Sequence, residues 1–316
     1  MSKAIPRRLS LCALIGSLAA ACTTSAPPPA TPTPVPTRKD SAPAPPPAVA
    51  ARWTPRHAAG SWRYEVRSTG TVSLVGDTTA DSLPVGRMVL YTVSTEPTGA
   101  SDGGSPAFQV TGSVDSVAVI IPERIPTPTA GSNSKPRFQG AMAANGHLTT
   151  LASDATTPCR DAIDPLSAAA TALFVALPEG ISPNESWTDT VSTTTCRGRM
   201  PLVTTATRQY KAIADTLWQG RAALLLVRHD SLAVRSRVDS ATDTTTTMVM
   251  DTIATDTSDT MEATGSGHGD VTLFVDPRSG VLLHATGTSH AEILVTTGHS
   301  SFPFREDVRQ TITLLK

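Results

Sequence analysis

The segment GDVTLFVDPRSGVLLHATG, residues 269–287, sets two short runs rich in Val, Leu and Thr on either side of Asp276-Pro277-Arg278-Ser279-Gly280. Pro277 presets φ for the first corner of a turn, and Gly280 accepts a positive φ. The flanking runs carry the β-branched residues that fit a pleated sheet. The segment therefore reads as two strands joined by a tight turn.

Outward from it the same period-2 chemistry continues. GSWRYEVRSTG (60–70) places Trp62, Tyr64 and Val66 on one face, and REDVRQTITLL (305–315) does so for Val308, Gln310, Ile312 and Leu314. AFQVTGSVDSVAVII (107–121), RQYKAIA (208–214) and GRAALLLVRHDSLAV (220–234) also read as strands. The pattern Asp-Ser-apolar-x-Val recurs at 81, 115 and 230. There the Asp-Ser pair is expected to turn the chain and the apolar pair to enter a sheet, as convergent strand chemistry and not as a duplication.

One helix stands out among the strands. In DAIDPLSAAATALFVALPEG (161–180), Asp164 is placed as N-cap and Pro165 as the first helical residue, while Pro178 and Gly180 mark the exit. Leu166, Ala169, Ala170, Leu173, Phe174 and Leu177 fall on one face of a helix over about 165–177. That face is expected to plug a sheet. Residues 53–316 are long enough for one large β-rich domain or two smaller units.

The N-terminus carries the chain's address. Lys3, Arg7 and Arg8 precede an apolar run over 9–21, the layout of a secretory signal peptide. Thirteen helical residues span roughly 20 Å, short of a hydrocarbon core of about 30 Å. Ala19, Ala20 and Ala21 then lead into Cys22. This resembles the cleavage box of bacterial lipoproteins, which implies residues 1–21 as signal and Cys22 as the lipid attachment point, with Ala19 where leucine is usual. Thr23 resembles the outer-membrane-directed members. Of the 28 residues from Thr23 to Ala50, ten are proline, so 22–52 is read as a lipidated start followed by an extended tether.

With Cys12 leaving in the signal and Cys22 lipidated, Cys159 and Cys196 remain as a pair, and an oxidising envelope favours a disulfide between them. A two-cysteine metal site lacks any supporting C-x-x-C or paired histidines.

The rest of the chain offers little chemistry. Removing Lys3, Arg7 and Arg8 leaves 23 basic against 27 acidic side chains, a formal charge of −4, which disfavours nucleic acid as partner. GSGHG at 265 has Gly267 where a nucleophile elbow needs serine, and SNSK at 132 lacks the K-T-G of serine β-lactamases. No catalytic, cofactor or metal residue is assigned. His284 and His290 lie symmetrically about Gly287: a hairpin there sets them opposite each other, whereas a continuous strand, the reading favoured here, separates them by roughly 20 Å. The aspartates at 239, 243, 251, 256 and 259 match no calcium loop and read as solubilising residues in a Thr-rich stretch.

From LPEGISPNESWTDTV (177–191) through the segments quoted above to the terminal RQTITLL, the chain resembles strand-rich bacterial envelope lipoproteins. These are similar to lipoprotein-carrier half-barrels, in which a curved antiparallel sheet wraps a helix and its concave face holds acyl chains. The resemblance implies a mainly β fold, a large curved sheet or half-barrel on the helix at 165–177. It also implies a non-enzymatic, membrane-anchored envelope protein, in the outer membrane, that binds a hydrophobic ligand or lipid. A structural lipoprotein holding an envelope protein partner is the second reading, and an enzyme the third.

Overall fold

The computed structural model describes residues 53–75, 82–98, 107–120, 127–128, 135–154, 159, 162–197, 200–236, 261–297 and 300–316. The export signal, Cys22 and the tether lie outside these residues, as do Asp81, the aspartates at 239–259 and His299. All described residues belong to one compact unit, Val49–Lys316.

Among the described residues, twelve strands form a single antiparallel sheet. In chain order they are β1 (Gly60–Leu74), β2 (Leu83–Thr98), β3 (Ala107–Val119), β4 (Thr127–Pro128), β5 (Arg137–Ala143) and β6 (Leu148–Ser153). A short helix follows, α1 (Pro165–Ala169), prolonged by a 3₁₀ turn over Ala170–Leu173. Then come β7 (Ser186–Arg197), β8 (Met200–Trp218), β9 (Arg221–Ser236), β10 (Met261–Val275), β11 (Leu282–Thr297) and β12 (Ser300–Leu315). Across the sheet the order is β6-β5-β3-β2-β1-β12-β11-β10-β9-β8-β7, with β4 paired only to β3.

The eleven-strand path curls into a nearly closed, barrel-like half-barrel. Its two edges approach one another where His147, just before β6, meets Asp189 on β7 at 2.7 Å. Curvature has local causes. Bulges interrupt the ladder at Leu90/Tyr91, Ala141/Met142, Ala212/Ala214 and Phe274/Val275. On β10, Gly265, Gly267 and Gly269 lie on the inner face, where an added Cβ would press on backbone of β11, so the two strands fit closely at these side-chain-free positions. The GSGHG segment is thus a close-contact stripe of the wall.

The turn at 276–280 forms as its residues predict. Asp276 accepts hydrogen bonds from the Arg278 and Ser279 amides, and Gly280, at φ +68°, donates to the Asp276 carbonyl at 2.9 Å. The helix begins as expected too: Asp164 Oδ1 accepts from the Leu166 amide at 2.8 Å and the Ser167 amide at 3.2 Å. It ends earlier, after nine residues at Leu173 and not at 177, with Phe174 already extended at φ −105°, ψ 133°. Leu173 to Leu177 are all buried, which one face of a helix does not achieve. An extended chain does, because neighbours satisfy its backbone: the Leu177 amide donates to the Asn145 carbonyl and Trp187 Nε1 donates to the Ala176 carbonyl. Pro178 further disfavours a helical Leu177.

The Asp-Ser pairs are a second correction. Asp115 and Asp230 stand inside β3 and β9, not at turns. Asp115 is the extra residue of the Leu90/Tyr91 bulge and accepts from Thr92 and Ser113, while Asp230 accepts from Arg228. Partners within the sheet stabilise each carboxylate there, so neither needs a turn.

The helix and the segment after it fill one end of the half-barrel. Ala170, Leu173 and Leu177 join Tyr64, Val66, Tyr91, Val93, Met142 and Leu282 in the core, and the Tyr91 hydroxyl donates to the Leu166 carbonyl at 2.8 Å. The cavity left beside Leu173 and Phe174 is about 20 Å³, room for a single water.

Candidate functional site

Strand register divides the inner face into three levels. The first is the apolar core just described, whose last layer runs Leu226, Leu273, Ala285, Ile312, Val66 and Val89 from β9 to β2. Two residues further along each strand the chemistry changes. Trp187, Tyr210 and Arg228 stand abreast on β7, β8 and β9, and the next level sets Asp189, Arg208 and Asp230 abreast. Gln310, Ser68 and Arg87 continue the first of these levels across β12, β1 and β2.

At β8 and β9 this polar belt is buried and only partly satisfied, whereas at Arg87 it is exposed. Arg208 is 6% and Arg228 7% exposed. Trp187 stacks on Tyr210 with ring centroids 5.3 Å apart, and the Arg228 guanidinium carbon lies 5.8 Å from the Tyr210 centroid. Arg228 Nη2 donates to Asp230 Oδ2 at 2.8 Å. Burial works against the Arg228 charge, but Tyr210 and the Asp230 carboxylate outweigh it and raise its pKa. Asp189 is engaged by His147. Among the described residues, Arg208 Nε, Arg228 Nε and Nη1, the Tyr210 hydroxyl and Asp230 Oδ1 are buried without a hydrogen bond of good geometry, although the Tyr210 hydroxyl lies near enough to Arg228 to favour its charge. Buried polar atoms are rarely left so, and five in one patch mark a place that can accept a polar group.

Beyond the belt the inner face turns apolar again. Leu232, Val234, Ile293, Phe304 and Val72 lie there, half-buried, among Ala206, Gly265, Gly267 and Ala291, with Glu306 interrupting them on β12. A curved sheet with half-exposed apolar side chains on its concave side is a surface suited to an apolar partner.

The residues singled out from sequence distribute as follows. Cys159 and Cys196 come together at disulfide distance, their Cα atoms 5.7 Å apart, pinning the segment before α1 to β7. β11 runs unbroken through Gly287, so His284 and His290 are not opposed. His284 stacks on Trp218 at 4.0 Å, and burial lowers its pKa against a raising backbone hydrogen bond at Ile312. His290 instead faces His268 of β10, with rings 5.4 Å apart, and pairs with Asp307 at 2.7 Å. Among the described residues no three His, Cys, Asp or Glu side chains are placed to hold a metal ion.

The belt itself went unread, although a signal existed. In Leu224-x-Leu226-x-Arg228-x-Asp230-x-Leu232-x-Val234 two charged residues occupy the apolar phase of a period-2 run, as Arg208 does before Tyr210 and Ala212. No protein family matches the chain, and no curated protein matches it.

Proposed function

We propose that the protein is a membrane-anchored envelope lipoprotein, tethered through Cys22 and the proline-rich segment, whose half-barrel binds a hydrophobic ligand on its distal concave face. The observation that carries this reading is the half-exposed apolar layer of Leu232, Val234, Ile293 and Phe304. The interior beside Leu173 and Phe174 is filled by the protein's own side chains and leaves an acyl chain no room there.

Ile293 and Leu294 are neighbours on opposite faces of β11, and they separate the inner surface from the outer. Ile293→Asp is expected to weaken binding of the fluorescent apolar probe N-phenyl-1-naphthylamine at least tenfold, and Leu294→Asp, on the outer face, to leave it unchanged. Equal effects of the two substitutions, in chains that remain folded by circular dichroism, would contradict the assignment.

A further inference from the structure

The polar belt names the ligand's chemistry. We infer that Arg208 and Arg228, with the Tyr210 hydroxyl, receive the anionic headgroup, carboxylate or phosphate, of a single-chain amphiphile whose alkyl tail lies along the distal apolar layer. This deepens the proposed function and rests on it.

Three observations carry it. First, the two guanidinium groups are more than nine-tenths buried and keep unpartnered N–H donors: Arg208 Nε, and Arg228 Nε and Nη1. A buried donor without an acceptor costs about 1–3 kcal/mol, more for a charged group, and an oxyanion accepting from several of them removes that cost. Second, the two guanidinium groups are unequally answered by the two carboxylates beside them. Asp230 answers one arginine through Oδ2, and Asp189 is engaged by His147, which leaves one guanidinium of the pair without a carboxylate at hydrogen-bond distance. Third, the belt lies between a filled apolar core and an open apolar layer. A headgroup at the belt therefore has its tail directed one way, toward Leu232, Ile293 and Phe304. The Tyr210 hydroxyl supplies a neutral donor, and Asp230 Oδ1 can accept from a protonated phosphate or a hydroxyl beside the anion.

The test compares palmitate, hexadecyl phosphate and hexadecanol, which share one tail. The protein is the mature chain, exported behind a cleavable signal so that it carries no lipid of its own, and binding is read by displacement of N-phenyl-1-naphthylamine. At least one of the two anions is expected to bind ten or more times tighter than the alcohol, and which one does so distinguishes carboxylate from phosphate. Arg208→Met and Arg228→Met are each expected to bring acid and alcohol within about threefold while alcohol affinity holds, which also reports that the face is intact. Should a methionine variant fail to fold, Arg208→Lys and Arg228→Lys retain the charge but lose the fork, and a reduced anion preference is expected. Equal affinity of wild type for all three amphiphiles would overturn the anion site while leaving the hydrophobic-ligand reading in place. Binding of none would overturn both.

Discussion

His57 shows how tightly single side chains are held at the filled end. Its ring is enclosed by the loops of Gly146 and Gly280, both at positive φ, where a Cβ would strike it, and its Nε2 is buried without a partner. Burial lowers its pKa below the ordinary value of 6.5, and a backbone hydrogen bond at Val175 opposes this only in part. The sign of the consequence follows from proton binding. Below pH 6.5 the unfolded chain takes up a proton that the folded chain refuses, so stability is complete above that pH and falls as pH drops toward the lowered folded value. His284 is shifted the same way and adds to the slope. Urea unfolding between pH 7.5 and pH 5 should show this loss, at no more than about 1.4 kcal/mol per pH unit for each histidine. His57→Gln should flatten the profile, and an unchanged slope would show that the ring is protonated freely in the folded protein.

The covalent link has its effect at the level of elements. Residues 160–195 separate Cys159 from Cys196, and closing a loop of that length stabilises a fold by about 4 kcal/mol in the chain-entropy account. Cys159→Ala with Cys196→Ala should therefore lower the unfolding free energy by several kcal/mol. It should also raise hydrogen exchange first in α1 and β7, which the bond pins. A loss below about 1 kcal/mol would mean the segment is held by packing alone. What could be read from sequence here was local. Asp164-Pro165 caps a helix wherever it ends, and Pro277 with Gly280 makes a turn without reference to the rest of the chain. The helix end at Leu173 was not legible, because it depends on Asn145 and Trp187 supplying partners to an extended 174–177 from far along the chain. The Asp-Ser pairs misled for a similar reason. Whether Asp115 turns the chain or sits in a bulge depends on the partner strand that brings Thr92 beside it.

For the whole molecule, alternation in the strands predicted a sheet with one buried face, and the half-barrel has one. The belt was hidden because it exists only after β7, β8 and β9 are placed in register. Arg208 and Arg228 are twenty residues apart, and although each sits in the apolar phase of its own strand, nothing local says that they stand on adjacent levels of one belt. The same register makes the concave face a graded surface: filled core, charged belt, open apolar layer.

The most direct measurement is native mass spectrometry of the mature protein purified gently from its native host, with the bound fraction identified by collisional release. A one-to-one complex is expected whose ligand is a single-chain anionic lipid, lost in Ile293→Asp and retained in Leu294→Asp. A ligand-free spectrum that stays ligand-free after incubation with excess palmitate and hexadecyl phosphate would contradict it.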